Sequence, residues 1–200
     1  MCKKINLILV INTPVRTDRL LHMTHELSKW DKTFERINAE TVTAAMNFHN
    51  KYIRSNWISH EECISRAHAN TTGLTLILED DVRILDFPKI EKNVADVQEL
   101  SWNVLYLFGS GKRDVLNKIS HVIDAHAYIV NPESADLVLS AMRKYRSDIE
   151  NNGIHEPRLS HIDHFFAHTL QLCMNFYGTE ILVYQDRKVF GSDTGWGWNG

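Results

Sequence analysis

Apolar residues along this chain fall into short unbroken runs that alternate with longer stretches where they recur every three or four positions. Residues 5–11 are apolar except Asn6 and close on Asn12-Thr13-Pro14, which predicts a buried first strand and a turn. Leu20, Leu21, Met23, Leu27 and Trp30 then keep helical spacing over residues 17–30. Phe34-Glu35-Arg36-Ile37-Asn38-Ala39 reads as a short second strand, and residues 41–55 lean toward helix through Ala44, Ala45, Met46, Phe48 and Tyr52. Ser59 with Glu62 three positions on has the form of a capping box, so a helix is expected from there through Cys63, Ile64 and Ala67, stopped by Thr71-Thr72-Gly73. Leu74-Thr75-Leu76-Ile77-Leu78 is a strand with no polar break, the pattern of one buried on both faces.

Further along, Asp86-Phe87-Pro88 opens a helix carrying Ile90, Val94, Val97 and Leu100. Residues 102–108 form a fourth strand ending in Gly109-Ser110-Gly111, residues 115–122 an edge strand, and residues 126–130 a short strand closed by Asn131-Pro132. Pro132 suits the first turn of a helix whose stripe is Ala135, Leu137, Val138, Ala141 and Met142. Residues 147–160 are polar, with Gly153 and Pro157, and read as a loop. A helix through Phe165, Phe166, Leu170 and Leu172, a strand over residues 181–184 and a polar, aromatic tail complete the chain. The order β-α-β-α-α-β-α-β-β-α-α-β predicts one α/β domain over residues 1–200, with a mixed, mostly parallel sheet flanked by helices. The abrupt Gly195-Trp196-Gly197-Trp198-Asn199-Gly200 end reads as that of a domain cut from something longer.

Composition adds exclusions. With 44% hydrophobic and 24% charged residues the chain has ordinary globular make-up. A net charge of −3 argues against a nucleic-acid partner. Residues 3–11 imitate a secretion signal, but Asn6 and Asn12 interrupt the apolar run and no small-residue cleavage site follows. No stretch is long enough to span a membrane. The three cysteines, Cys2, Cys63 and Cys173, are far apart; reduced thiols and a cytoplasmic setting are expected, with Cys63 and Cys173 in the core. The 11 His show no convincing zinc spacing.

The chemistry gathers where the Leu74–Leu78 run meets Glu79-Asp80-Asp81. Carboxylates cannot follow that strand into the core unpaired, and the carboxyl ends of strands are where open α/β sheets bind ligands. Adjacent acids repel by roughly 1 kcal/mol per pair at contact even in bulk water. A hard divalent cation, Mg²⁺ or Mn²⁺, would relieve that repulsion. Arg16 and Arg19, in the turn after the first strand, make a candidate phosphate site.

Together these pieces resemble glycosyltransferase family 25, which includes lipooligosaccharide and collagen-type galactosyltransferases. Val10-Ile11-Asn12 with Arg16, Asp18 and Arg19 resembles the family's opening segment, and Phe34 to Ala39 its second. Ser59-His60 stands where the family has a Ser-His pair. Leu76-Ile77-Leu78-Glu79-Asp80-Asp81 is similar to its acidic motif, His126-Ala127-Tyr128 to a later strand, and Ile162-Asp163 to a site before a helix. Trp57-Ile58 replaces the usual Gly-Cys. The resemblance spans residues 5 to 170 and implies a GT-A fold, Rossmann-like in its nucleotide half. It implies transfer of a hexose from UDP-glucose or UDP-galactose to an oligosaccharide or glycoprotein acceptor, with inversion. On that expectation Asp81 holds Mn²⁺ or Mg²⁺, Asp193 in the tail adds a ligand, and Asp80 or Glu79 reaches the ribose or sugar. Asn12, Arg16 and Arg19 contact base and phosphates. Asp163 takes the acceptor's proton, with Glu156, His155 and His161 behind it, and Trp57, Trp196 and Trp198 are candidates to stack on a sugar. Two other classes fit the acids: an inactive nucleotide-binding scaffold, and a metal-dependent phosphohydrolase, which needs a second acidic cluster for which Asp124 and Asp163 are scattered candidates.

Overall fold

The computed structural model describes residues 2–30, 32–39, 42–109, 111 and 114–191; Asp193, Trp196, Trp198 and Ser110 lie outside the described residues. Among those, a seven-stranded sheet has the order β2-β1-β3-β7-β5-β8-β6. The strands are β1 (Ile5–Asn12), β2 (Glu35–Asn38), β3 (Leu74–Glu79), β5 (Val104–Gly109), β6 (Asn117–Lys118), β7 (Ala127–Val130) and β8 (Phe176–Thr179). β4 (Val82–Ile84) and β9 (Val183–Gln185) pair with each other in a separate antiparallel ribbon. β1 pairs in parallel with β2 and β3, and β5 with β8, while β7 and β6 run against their neighbours. The mixed, mostly parallel α/β sheet expected from the run order is present.

Its helices are α1 (Thr17–Ser28), α2 (Lys51–Ala69), α3 (Phe87–Val97) and α4 (Ala135–Asn152). After them come α5 (Ile162–Phe165), a π-helical stretch over Phe166–Leu170, α6 (Gln171–Cys173) and α7 (Arg187–Phe190). The core is continuous, from Ile8, Leu9 and Val10 on β1 through Leu76, Ile77 and Leu78 on β3 to Val104 and Leu105 on β5. The chain goes from β1 through α1 to β2 on one side, then through α2 to β3 on the other. With right-handed crossovers those connections cover opposite faces of the sheet. The strand order therefore reverses between β1 and β3, and a crevice opens beyond their carboxyl ends.

Several sequence expectations change. α2 does not begin at Ser59. The Asn50 side chain caps it, accepting from the Ile53 N–H at 2.9 Å, and Ser59 lies in mid-helix with its hydroxyl donating to the Ser55 carbonyl at 3.0 Å. The expected loop from residue 147 is helix as far as Asn152; Ile149 packs into the core, and Gly153, at φ 74°, ends it. β8 appears where none was read, because Gly178 and the preceding Asn175 interrupt its apolar character. Cys63 is buried as expected, but Cys173 is exposed. Trp57 is 0% exposed among Phe48, Tyr145 and Phe165, and its Nε1 donates to the Ser160 carbonyl at 2.6 Å. It is core, not a sugar platform. No helix among the described residues is long and apolar enough to cross a membrane.

Candidate functional site

The end of β3 delivers the acidic triplet to the crevice. Glu79 is the last residue of β3, level with Ile11 on β1. Asp80 and Asp81 form the turn into β4, and both are 5% exposed. Each carboxylate has its own environment. Asp80 accepts from Arg19 Nη1 at 2.9 Å and from Asn12 Nδ2 at 2.7 Å. Burial raises its pKa, against the pull of Arg19 and Asn12. Glu79 accepts from Gln185 Nε2 at 2.6 Å and lies 3.5 Å from His60 Nε2. Burial pushes Glu79 up, but His60, His126 and Arg187 outweigh it and hold the carboxyl below its ordinary range. Asp81 accepts a longer bond from Gln185 Nε2 at 3.3 Å, and the nearest cation, Arg19 Nη1, is 3.9 Å away. Burial, then the Glu79 charge, pushes Asp81 up to about 7. Within this triplet, Asp81 is the carboxyl whose charge the protein leaves least compensated.

Behind Glu79, the His60 ring is fully buried; its Nδ1 is 2.7 Å from the Tyr128 hydroxyl, and the two rings stack. In front, the chain returns through β9. Asp186 donates its N–H to the Asp81 carbonyl at 2.7 Å. Arg19 Nη2 donates to the carbonyls of Phe190 and Gly191 at 3.1 and 3.0 Å, and Arg16 Nη2 to that of Phe190 at 3.1 Å. Both arginines thus tie the β9–α7 segment over the acidic turn.

The crevice is a cavity of about 160 Å³. Its walls carry Glu79, Asp80, Asp81, Asp124 and Asp163, with Arg19, Arg187 and His161 as the basic groups. The structure therefore brings Glu79, Asp80, Asp81, Asp163 and Arg19 of the expected set together, with Asn12 directly behind Asp80. Arg16 is not among the lining residues; it pairs with Asp18 at 2.9 Å. His155 and Glu156 are not among them either, and Glu156 pairs with Arg158. Burial raises the Asp163 pKa, with His164 opposing and Asp124 and Glu79 adding to the rise. Burial, helped by His164 and His49, lowers His161 to about 4, so its imidazole is neutral at pH 7.

Gln185 and Arg187 are wall residues that the sequence reading missed, as are Thr13, Tyr52, Ser55 and Asn56. Gln185 ends β9 and Arg187 opens α7, and only the pairing of β9 with β4 aims them at the acids. A divalent cation is chemically suited to this turn. No group of three or more His, Cys, Asp or Glu among the described residues is arranged around one metal position. Mg²⁺-type sites, however, use one or two carboxylates and complete their shell with water and phosphate oxygens. Asp81 beside Glu79 meets that need.

No protein-family model matches the chain and no curated protein matches it. Among solved structures it is similar to a glycosyltransferase involved in the glycosylation of the major capsid of PBCV-1, at 10% identity over 87% of this chain and 81% of that one, TM-score 0.47. It is similar also to A197 from STIV, at 12% identity over 90% and 85%, TM-score 0.47. Nothing about this chain's activity follows from likeness at that level.

Proposed function

We propose that this chain is a metal-dependent glycosyltransferase. It moves a hexose from a UDP-linked donor, UDP-glucose or UDP-galactose, to a hydroxyl of an oligosaccharide or glycoprotein acceptor, with inversion. The observation that carries the reading is the acidic turn at the sheet's switch point: Asp80 is paired from within by Arg19 and hydrogen-bonded by Asn12, while Asp81, on the cavity wall, is the least compensated of the three. The motif resemblance to family 25 supports it. A diphosphate cannot approach these carboxylates bare, because like charges repel strongly where water is scarce. Asp81, with Glu79 beside it, would hold a divalent cation, for which Asp193, outside the described residues, is the proposed further ligand; such a cation would supply positive charge to the departing diphosphate.

The chain's own residues divide the remaining work. Asn12 and Arg19 hold Asp80, and so fix the turn from which Glu79 and Asp81 face the donor. Arg187, half-exposed on the same wall, donates to Gln185 Oε1 at 2.6 Å and lies 3.6 Å from Asp124, and so braces the Gln185 amide that holds Glu79. Arg16 acts from outside the wall by holding Phe190. Asp163 takes the proton from the acceptor hydroxyl. Burial raises its pKa, the direction that strengthens a carboxylate as a base.

A second reading has one observation in its favour. Asp124 and Asp163, distant in sequence, line the same cavity as the acidic turn, as a metal-dependent phosphohydrolase requires. The experiment is to follow UDP release from UDP-glucose and UDP-galactose with Mn²⁺, with and without a panel of glycoside acceptors. Acceptor-stimulated UDP release with glycoside product supports transfer. Acceptor-independent release of phosphate or nucleoside monophosphate supports the hydrolase. No turnover, with Asp81 intact or replaced, favours the scaffold.

A further inference from the structure

A second cleft opens beside the first. Phe108, Val122, Ile123, Ile181, Val183 and Tyr184 supply its apolar wall, and it shares Asp124, Gln185 and Arg187 with the cavity that holds the acidic turn. The two spaces therefore meet along one polar edge. Gly109 forms part of the second wall at φ 90°, with Val122 Cγ1 only 2.9 Å from where a Cβ would stand, so a side chain there would be strained and would displace Val122.

The shared edge is built with some strain. Asp124 has φ 153° and His121, three residues earlier, φ 61°, both unusual for residues with a Cβ. The Asp124 carboxylate makes no hydrogen bond among the described residues. Its charge partner is Arg187, whose Nη2 is 3.6 Å away; His126 Nδ1 lies at 3.8 Å, and the side chain keeps 39% exposure. The His126 ring behind it is held on both sides. It stacks on Phe108 with centroids 4.2 Å apart, and its Nε2 donates to the Val183 carbonyl at 3.3 Å. That bond places the hydrogen on Nε2. The buried Nδ1 hydrogen-bonds nothing and faces Asp124. The edge thus presents a carboxylate with lone pairs to spare beside a guanidinium with protons to give. Tyr184, Ile181 and Ile123 stand out into solvent along the apolar wall.

That combination suits a sugar, whose rings have an apolar C–H face and a rim of hydroxyls. If the first cavity holds the nucleotide-sugar, direct displacement brings the incoming hydroxyl from the side opposite the departing diphosphate. It must therefore enter by another opening that reaches the same edge. We propose that the second cleft binds the acceptor, a hexoside lying with its C–H face on Tyr184 and its hydroxyl rim against Asp124 and Arg187. This rests on the reading of the first cavity as the donor site.

The test is saturation-transfer NMR on the full chain with p-nitrophenyl β-glucoside and β-galactoside, in UDP and Mn²⁺, on wild type, Tyr184→Ala and Ile181→Ser. Both replaced side chains are exposed and line only the second cleft, so neither change threatens the fold or the donor site. The expected result is saturation of the sugar C–H protons by the wild type, affinity reduced roughly 3- to 10-fold in Tyr184→Ala, and UDP affinity unchanged in both variants. UDP binding without binding of either glycoside, or glycoside affinity untouched in both variants, overturns the acceptor proposal and leaves the donor reading standing. Glycoside binding by the wild type without UDP binding overturns the donor reading, and the acceptor assignment with it.

Discussion

Arg19, in the first turn of α1, donates to Asp80 Oδ1 at 2.9 Å, and the two side chains are 6% and 7% exposed. An ion pair taken this far out of water is stabilised by mutual attraction, but either member alone would be left as an uncompensated buried charge. Arg19→Met is expected to destabilise the fold by about 3–5 kcal/mol. The double variant Arg19→Met with Asp80→Asn should recover much of that loss. Urea denaturation of the two variants checks the difference; equal losses would mean that Arg19 acts through its bonds to Phe190 and Gly191 rather than through Asp80.

Asp81 gives the fold a pH dependence. Its pKa rises from 3.8 to about 7 on folding. Between those values the folded chain binds more protons than the unfolded one, so stability falls as pH rises through that window, and the full cost applies above pH 7. Asp81→Asn removes the cost, about 2–4 kcal/mol at pH 8 and little at pH 4. Thermal melts should show the variant more stable than wild type at pH 8. Millimolar Mn²⁺ should raise the wild-type melting temperature at pH 8 and leave the variant unchanged.

Asp163 lines the cavity with a raised pKa. As the base it contributes to turnover and not to nucleotide binding. Asp163→Asn is therefore expected to lower kcat by about 10²- to 10⁴-fold while UDP affinity holds. Loss of UDP affinity with kcat preserved would move Asp163 from base to donor contact.

Trp57 fills the core and donates to the Ser160 carbonyl. Trp57→Phe removes that hydrogen bond and some packing, at a cost of about 2 kcal/mol. Chemical denaturation should register it, with acceptor KM unchanged.

The thiols provide a direct check of the fold. Cys2 and Cys173 are exposed and Cys63 is buried, its thiol pushed far above the ordinary range by burial. A thiol reagent should label Cys2 and Cys173 quickly and Cys63 only on unfolding.

How much of this was legible depends on what each residue's role requires. The continuous apolar run into Glu79 placed a buried strand and an acidic rim, because no other location tolerates that pattern. Ser59 with Glu62 imitated a helix start. The true start is Asn50, since Ile53, Trp57, Ile64 and Ala67 form one buried stripe across the supposed boundary. Residues 147–152 looked like loop because Ser147, Asp148, Asn151 and Asn152 face water and only Ile149 is buried. Arg19 read as a phosphate ligand because its buried partner, Asp80, lies 61 residues away. Asp124, Gln185 and Arg187 meet only through the return of β9 onto β4, a pairing that no local pattern announces. The fold class was thus written in local periodicity, whereas the shared edge of the two clefts was written in long-range pairing.

The central claim is that Asp81 anchors a metal-dependent nucleotide site. Calorimetric titration of UDP into the protein, with Mn²⁺ and again with EDTA, on wild type and Asp81→Ala, tests it most directly. The account predicts binding by the wild type in Mn²⁺, lost in EDTA and lost in the variant. UDP binding that persists in EDTA, or in Asp81→Ala with Mn²⁺ present, would contradict it.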